Sequence, residues 1–244
     1  MTTAHLASRL GRRGNSPAGS GWPDHEYVRG WGLLAQAFES GDVLALRVFP
    51  EGTFGGFCAV WHRDPAGRWS IHVDSANTET ACLRYFGAAA HHTGPTGIRV
   101  DWTGPASVRV TMDRPSLDWT FTASTTPVLD VVNAVNSALP QASWRHHSLV
   151  RARELAAWAL GLGRFRMTMT APSGHYGTLM PAAMYFVDSA RAVLEGRDLG
   201  RPVRSPDLPR IGAVELPARA VLATGQVVWR APVAAPAAFD AQQA

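Results

Sequence analysis

The sequence predicts a mainly β fold of the α+β kind: an antiparallel barrel or sandwich with two helices inserted between a first and a second set of strands. Three observations carry this. Asp64-Pro65-Ala66-Gly67 is a hairpin turn between two strand-like runs. Three short segments between Ile98 and Thr122 alternate apolar and polar residues and are joined by turn sequences. Two stretches of helical period, about 126–139 and 148–161, then interrupt the strand pattern.

The hairpin comes first because it fixes a register. Asp suits the first position of a type I turn, Pro the second, and Gly67 the positive φ that closes a three-residue loop. Asp64 then lies opposite Arg68, His62 meets Ser70, Val60 meets His72 and Cys58 meets Asp74. Paired residues share a face. One face therefore carries Cys58, Val60, His62, Ser70, His72 and Asp74, and the other Ala59, Trp61, Arg63, Trp69, Ile71 and Val73. A four-residue loop would mix the two sets, because a one-residue slip inverts every side chain. The polar face is either a pocket wall or a solvated outer surface, since one antiparallel face is commonly wet.

Either side of the hairpin the elements follow from pattern. Residues 1–21 hold Arg9, Arg12 and Arg13 without periodicity and are expected to be a disordered basic tail. Residues 22–230 form a single β-rich domain, and 231–244 an Ala/Pro-rich loose tail. Val28, Trp31, Leu34 and Phe38 fall on one side of a short helix within 24–38. Val43 to Phe49 reads as a strand. The long connection 75–96 is anchored by Tyr85 and Phe86.

Ile98, Val100, Trp102, then Val108, Val110, Met112, then Leu117, Trp119, Phe121 face inward on three strands of a meander. Thr126 caps the first helix, with Pro127 at its first turn and Val128, Val131, Val132, Val135 and Leu139 as its buried stripe. Ser148 caps the second, with Leu149, Ala152, Leu155, Ala156, Ala159 and Leu160 inward and Arg151, Arg153 and Glu154 solvated. Strands resume at 165–170, 178–188, 190–194 and 221–230. The segment 196–219 is rich in Arg and Pro.

All 23 basic residues are arginine, which excludes Schiff-base lysine chemistry. The first 23 residues supply three of them and no acid, leaving 20 arginines against 19 acids elsewhere. No basic stripe remains on the folded part, so nucleic acid is not an expected partner. Two cysteines, Cys58 and Cys82, form neither a metal spacing nor a disulfide framework. No apolar run is long enough to span a membrane, and no signal-peptide core is present. These features point to a cytoplasmic chain.

Nine tryptophans and nine phenylalanines predict an aromatic interior. An antiparallel barrel of about eight to eleven strands would hold one apolar ligand. In outline this arrangement resembles lipocalin-like proteins, including the carotenoid-hydratase-like group. The resemblance implies a cavity for a small apolar or amphipathic metabolite.

The chemistry expected there is proton transfer: a lyase, hydratase, isomerase or cyclase without a cofactor, using His62, His72 and Asp74. Histidine titrates near neutral pH, and a carboxylate orients its ring. Trp61, Tyr85, His175 and Tyr176 would contact the ligand. A non-catalytic binding protein using the same cavity is the first alternative. A second is a non-haem iron oxygenase, with His72-Val73-Asp74 supplying two ligands and His62, His147 or His175 the third. Pro172-Ser173-Gly174-His175-Tyr176 lacks the strand–elbow–helix setting of a serine nucleophile and reads as a hairpin turn.

Overall fold

The structure, a computed structural model, describes Leu6, residues 21–205 and residues 207–231. Strand makes up 45% and helix 18%, which places the chain in the mainly β class. One large sheet curls into a half-barrel. Its first limb holds β1 (Glu26–Leu33), β2 (Gln36–Phe38), β3 (Val43–Gly52), β4 (Phe57–Arg63), β5 (Trp69–Ser75), the helix α1 (Ala81–Phe86) and β6 (His91–Thr93). A meander follows: β7 (Arg99–Trp102), β8 (Ser107–Met112) and β9 (Leu117–Ser124). Then come α2 (Pro127–Ala138), a 3₁₀ turn (Gln141–Arg145) and α3 (His147–Ala159). The chain closes with β10 (Thr168–Thr170), β11 (Tyr176–Leu194), four two-residue strands β12 (Arg197–Asp198), β13 (Pro202–Val203), β14 (Arg210–Ile211) and β15 (Val214–Glu215), and β16 (Val221–Arg230).

The main order is β6-β5-β4-β3-β1-β16-β11-β9-β8-β7. The pairs are antiparallel except β5–β6, which is parallel. Its two edge strands, β6 and β7, are consecutive in the chain. The 94–98 connection between them is tied to both limbs. Thr96 donates its N–H to Asp74 on β5 at 2.5 Å, and its carbonyl accepts from Asp113 N beyond β8 at 3.0 Å.

The hairpin register is as expected: Cys58 pairs with Asp74, Val60 with His72 and His62 with Ser70. Gly67 takes φ +88°, and Asp64 and Arg68 close the turn through a 3.0 Å backbone bond. The solvated-face reading does not survive, because both faces are covered. Ala59 and Trp61 enter a core on the convex side with α1, Ile211 and Val214. Val60 enters the concave core with Trp31, Leu44, Leu46, Trp119, Phe121 and Leu222. Leu6 is buried in that same concave core. The expectations for the rest of the 1–21 tail and for the 231–244 tail fall on residues outside those described, apart from Gly21 and Ala231.

The meander forms with its predicted faces, and Arg109 on β8 pairs with Asp118 on β9 at 2.7 Å. The helix expected within 24–38 is instead β1 and β2. The glycines that weakened a helix serve a ladder here: a Cβ on Gly30 would sit 2.0 Å from Val48 O, and one on Gly32 2.2 Å from Leu46 O. Where β1 ends, Arg47 donates to the freed carbonyls of Leu33 and Leu34, at 2.8 and 3.3 Å. Its guanidinium packs over Trp61 at 4.7 Å. The expected strands at 178–188 and 190–194 are one strand, β11, with register shifts after Pro181 and Val187.

Both inserted helices stand where the sequence predicts, and both are rotated. Thr126 caps α2 by accepting from Leu129 N at 3.2 Å. Its buried residue, however, is Leu129; Val128, Val131, Val135 and Leu139 face outward and Val132 is half-buried. The cause lies in β11. That strand pairs with β10 over 176–178 and with β9 from Phe186 on, leaving 180–185 without a strand on that side among the described residues. Buried backbone polar groups need partners, and α2 supplies them. Asn133 exchanges two bonds with Met184, 2.8 and 2.9 Å, and Asn136 donates to Pro181 O. These amides fix the helix with its apolar side out.

In α3 the buried residues are Val150, Glu154 and Ala157 rather than the predicted set. Glu154 turns inward to accept from Met167 N and Arg166, each at 3.0 Å. The helix starts at His147 after His146, which makes no side-chain cap, so Ser148 is not its cap. Among the described residues no helix is long and apolar enough to cross a membrane.

Candidate functional site

The richest polar cluster lies at the end of the β4–β5 hairpin nearest the 64–67 turn. It begins one turn earlier in the chain. Gly41, at φ +86°, lets the β2–β3 connection close, with Phe38 and Asp42 bonded through the backbone at 3.0 Å. The Asp42 side chain is thereby placed, fully buried, against β4. Its Oδ1 lies 2.7 Å from His62 Nε2. Arg197 donates to both carboxylate oxygens, at 2.9 and 3.1 Å.

Burial acts to raise the Asp42 pKa, but the bonds from Arg197 and His62 outweigh it and hold the group down at about 2. Asp42 is therefore ionised at neutral pH and can only accept. His62 must present a protonated Nε2 to it, which leaves Nδ1 as the acceptor of the neutral ring. The His62 side chain is 16% exposed, so this end of the network reaches the surface.

Strand pairing extends the cluster sideways. His62 pairs with Ser70 and Ser70 with His91; in the next row Val60 pairs with His72 and His72 with Thr93. His72 is buried, and its Nδ1 lies 2.6 Å from Thr93 Oγ1. Burial, then the nearby charges of His62 and His91, push its pKa down to about 4, so it is neutral at pH 7. Cys58, in the third row, is pushed up to about 12 by burial and by Asp74, and stays a thiol.

The expected trio of His62, His72 and Asp74 thus shares one face without forming one acid–base unit. Asp74 gives its carboxylate to the N–H groups of Thr96 and Ile98 and serves the sheet closure. The carboxylate that orients a histidine is Asp42. Nothing local in the sequence marks it: it stands 20 residues before His62 and 155 before Arg197. Only the β3–β4 register, which pairs Leu44 with His62, brings it near.

The aromatic set expected to touch ligand sits elsewhere. Trp61, Tyr85 and His175 are buried on the convex side, across the sheet from His62 and His72, and Tyr176 is exposed. Tyr85 stacks on Trp229 at 4.4 Å and meets His175 edge-on at 5.2 Å. Its hydroxyl donates to Glu26 at 2.6 Å; burial and that bond raise its pKa. His175 Nδ1 lies 2.9 Å from Ser173 Oγ inside a turn closed by the Gly174 N to Ala171 O bond. The hairpin reading of that segment stands.

A cleft of about 440 Å³ opens between the 53–55 and 76–79 turns, where Phe54, Asn77 and Glu79 form part of its wall. It lies at the Ser75 end of β5, about 17 Å along the strand from the His62 end. Among the described residues no three His, Cys, Asp or Glu side chains converge on a point that could hold a metal ion. Among those residues, none joins His72 and Asp74 as the third ligand of an iron triad.

Comparison of the chain with protein-family models, with curated proteins and with solved structures returns no match in any of the three.

Proposed function

We propose that the protein is a small-molecule enzyme working by proton transfer, of the lyase, hydratase, isomerase or cyclase type, with His62 as its base. One observation carries this: a partly exposed imidazole bonded at 2.7 Å to a fully buried carboxylate. A carboxylate so placed orients the ring and stabilises the imidazolium that forms when Nδ1 takes a proton. Arg197 keeps the carboxylate ionised and in position. Neutral His72 and the Ser70 hydroxyl lie beside His62 on the same face and can hydrogen-bond a polar group of an otherwise apolar metabolite.

The test is isotopic. Metabolite extract is incubated with the protein in D₂O, and products are read by mass spectrometry. A proton-transfer enzyme adds deuterium from solvent to carbon in a consumed compound. His62→Gln and Asp42→Asn should each lower that incorporation at least a hundredfold with the fold intact. Equal labelling by wild type and His62→Gln removes the proposal.

The second reading is a non-catalytic binder of the same class of metabolite. It is favoured by Asp74, whose carboxylate is already engaged by Thr96 and Ile98, and by His72, whose Nδ1 is already engaged by Thr93. It predicts copurification of a ligand without isotope uptake.

A further inference from the structure

The row of strand partners through His62 does not end at Ser70. β5 pairs with β6 so that Ser70 meets His91, and His62, Ser70 and His91 lie side by side on three neighbouring strands. They share a face. Thr93 meets the His72 ring at 2.6 Å, and His91, two residues before Thr93, is on the same side of the sheet. With strands about 4.8 Å apart, the backbones of His62 and His91 stand about 10 Å from each other, with Ser70 between them. Burial first, and then the charges of both His62 and His91, lower the pKa of His72, so both rings act close to one spot. His91 is exposed, and no hydrogen bond or ion pair ties its ring to a described residue. Its neighbour His92, by contrast, spends Nδ1 on Ala90 O at 3.0 Å.

Resting on the reading of His62 as a base, we infer that His91 is the second proton-transfer group of that site. The reaction is then an isomerisation that moves a double bond into conjugation in an unsaturated carbonyl compound. Geometry selects this among proton transfers. Both rings stand on one face of one sheet, so they reach the same side of a substrate lying across Ser70. Two-base racemisation is excluded, because it needs its bases on opposite sides of one carbon. Groups set one strand either side of Ser70 suit two different carbons. Both are imidazoles, able to take or give a proton near neutral pH, which suits a reaction whose two halves are alike. In the first half, a carbon–hydrogen bond beside the carbonyl breaks and Nδ1 of His62 takes the proton. The electron pair moves onto the carbonyl oxygen, giving a dienolate to which the Ser70 hydroxyl donates. In the second half, the His91 imidazolium gives its proton to the far carbon, the carbonyl re-forms, and the double bond ends beside it. Atoms balance with no cofactor and no leaving group. His62 then holds an extra proton and His91 lacks one; both reach the surface and reset by exchange with water.

The experiment is incubation of metabolite extract with the full chain in D₂O, against a control without protein, followed by separation of substrate from product. Wild type should convert a compound into an isomer that carries solvent deuterium at the far carbon, read by NMR. His91→Gln should lower that conversion at least a hundredfold. The unconverted substrate should still take up deuterium beside its carbonyl at nearly the wild-type rate, because His62 removes and returns a proton there. A merely structural role for His91 would lower both. His91 is exposed on the edge strand β6, so the variant should keep the wild-type circular dichroism. His62→Gln should lose exchange and conversion together. Conversion untouched in His91→Gln, or both activities lost in it, overturns the inference and leaves His62 as the base. So does a wild-type product that differs from its substrate by the elements of water. Wild type without deuterium uptake, or His62→Gln with full uptake, removes the underlying reading as well.

Discussion

His62 Nε2 and Asp42 Oδ1 lie 2.7 Å apart, and Asp42 is out of contact with water while Arg197 grips its other side. A carboxylate in that position serves two partners at once. Asp42→Asn keeps the shape and removes the charge. It leaves Arg197 and the His62 ring facing an amide. Arg197 is half exposed and recovers hydration, so the expected loss is about 2–3 kcal/mol rather than the full cost of breaking a buried pair. Chemical denaturation measures it. Imidazole ¹⁵N shifts should report a protonated Nε2 in wild type and a mixture of tautomers in the variant.

His72 makes the fold sensitive to acid. Its pKa is about 4 in the folded protein, against about 6.5 for a free histidine. The unfolded chain therefore binds the extra proton first. Stability from this group is complete above pH 6.5, declines as pH falls toward 4, and is flat below that, a total on the order of 3 kcal/mol. Asp42 adds a second decline between about 3.8 and 2. His72→Gln should flatten stability between pH 6.5 and 4 and leave the lower decline in place. Thermal melts across that pH range check it.

Asp74 holds the 94–98 connection by accepting from Thr96 and Ile98. Asp74→Ala leaves two N–H groups without an acceptor, at a cost of about 2–3 kcal/mol. The effect should be local first. Amide hydrogen exchange at Thr96 and Ile98 should accelerate well before β4 or β16 responds.

Leu6 packs in the concave core, far in sequence from the strands around it. Leu6→Ala should therefore cost about 2–5 kcal/mol, as for any large-to-small change in a core. A freely solvated residue would show no change in Tm on the same substitution.

How much of this was legible depends on how far each partner lies along the chain. The β4–β5 register needed only Gly67 and the alternation beside it, so Val60–His72 and His62–Ser70 followed directly. The meander was legible for the same reason. The rotation of α2 was not, because the groups that turn it, Met184 and Pro181, belong to a strand about 50 residues later. Amphipathic periodicity assumes that apolar residues decide which side goes in, and here two asparagines decide. β1 was misread because valine, tryptophan and leucine at 28, 31 and 34 suit a helical side as well as a strand. Only the contact of Gly30 and Gly32 with β3 settles it. For the site, His62 and His72 were visible as residues, but the orienting acid was sought two positions from His72 rather than at Asp42.

An open sheet normally offers two raw borders onto which foreign strands can add. Here both borders are only a few residues long and belong to adjacent stretches of chain, tethered by Thr96 to either side. The tether holds both short borders in place, and each offers little length for a newcomer to pair with. Cutting the backbone once between Thr93 and Arg99 should loosen both together, and copies of the chain should then join edge to edge.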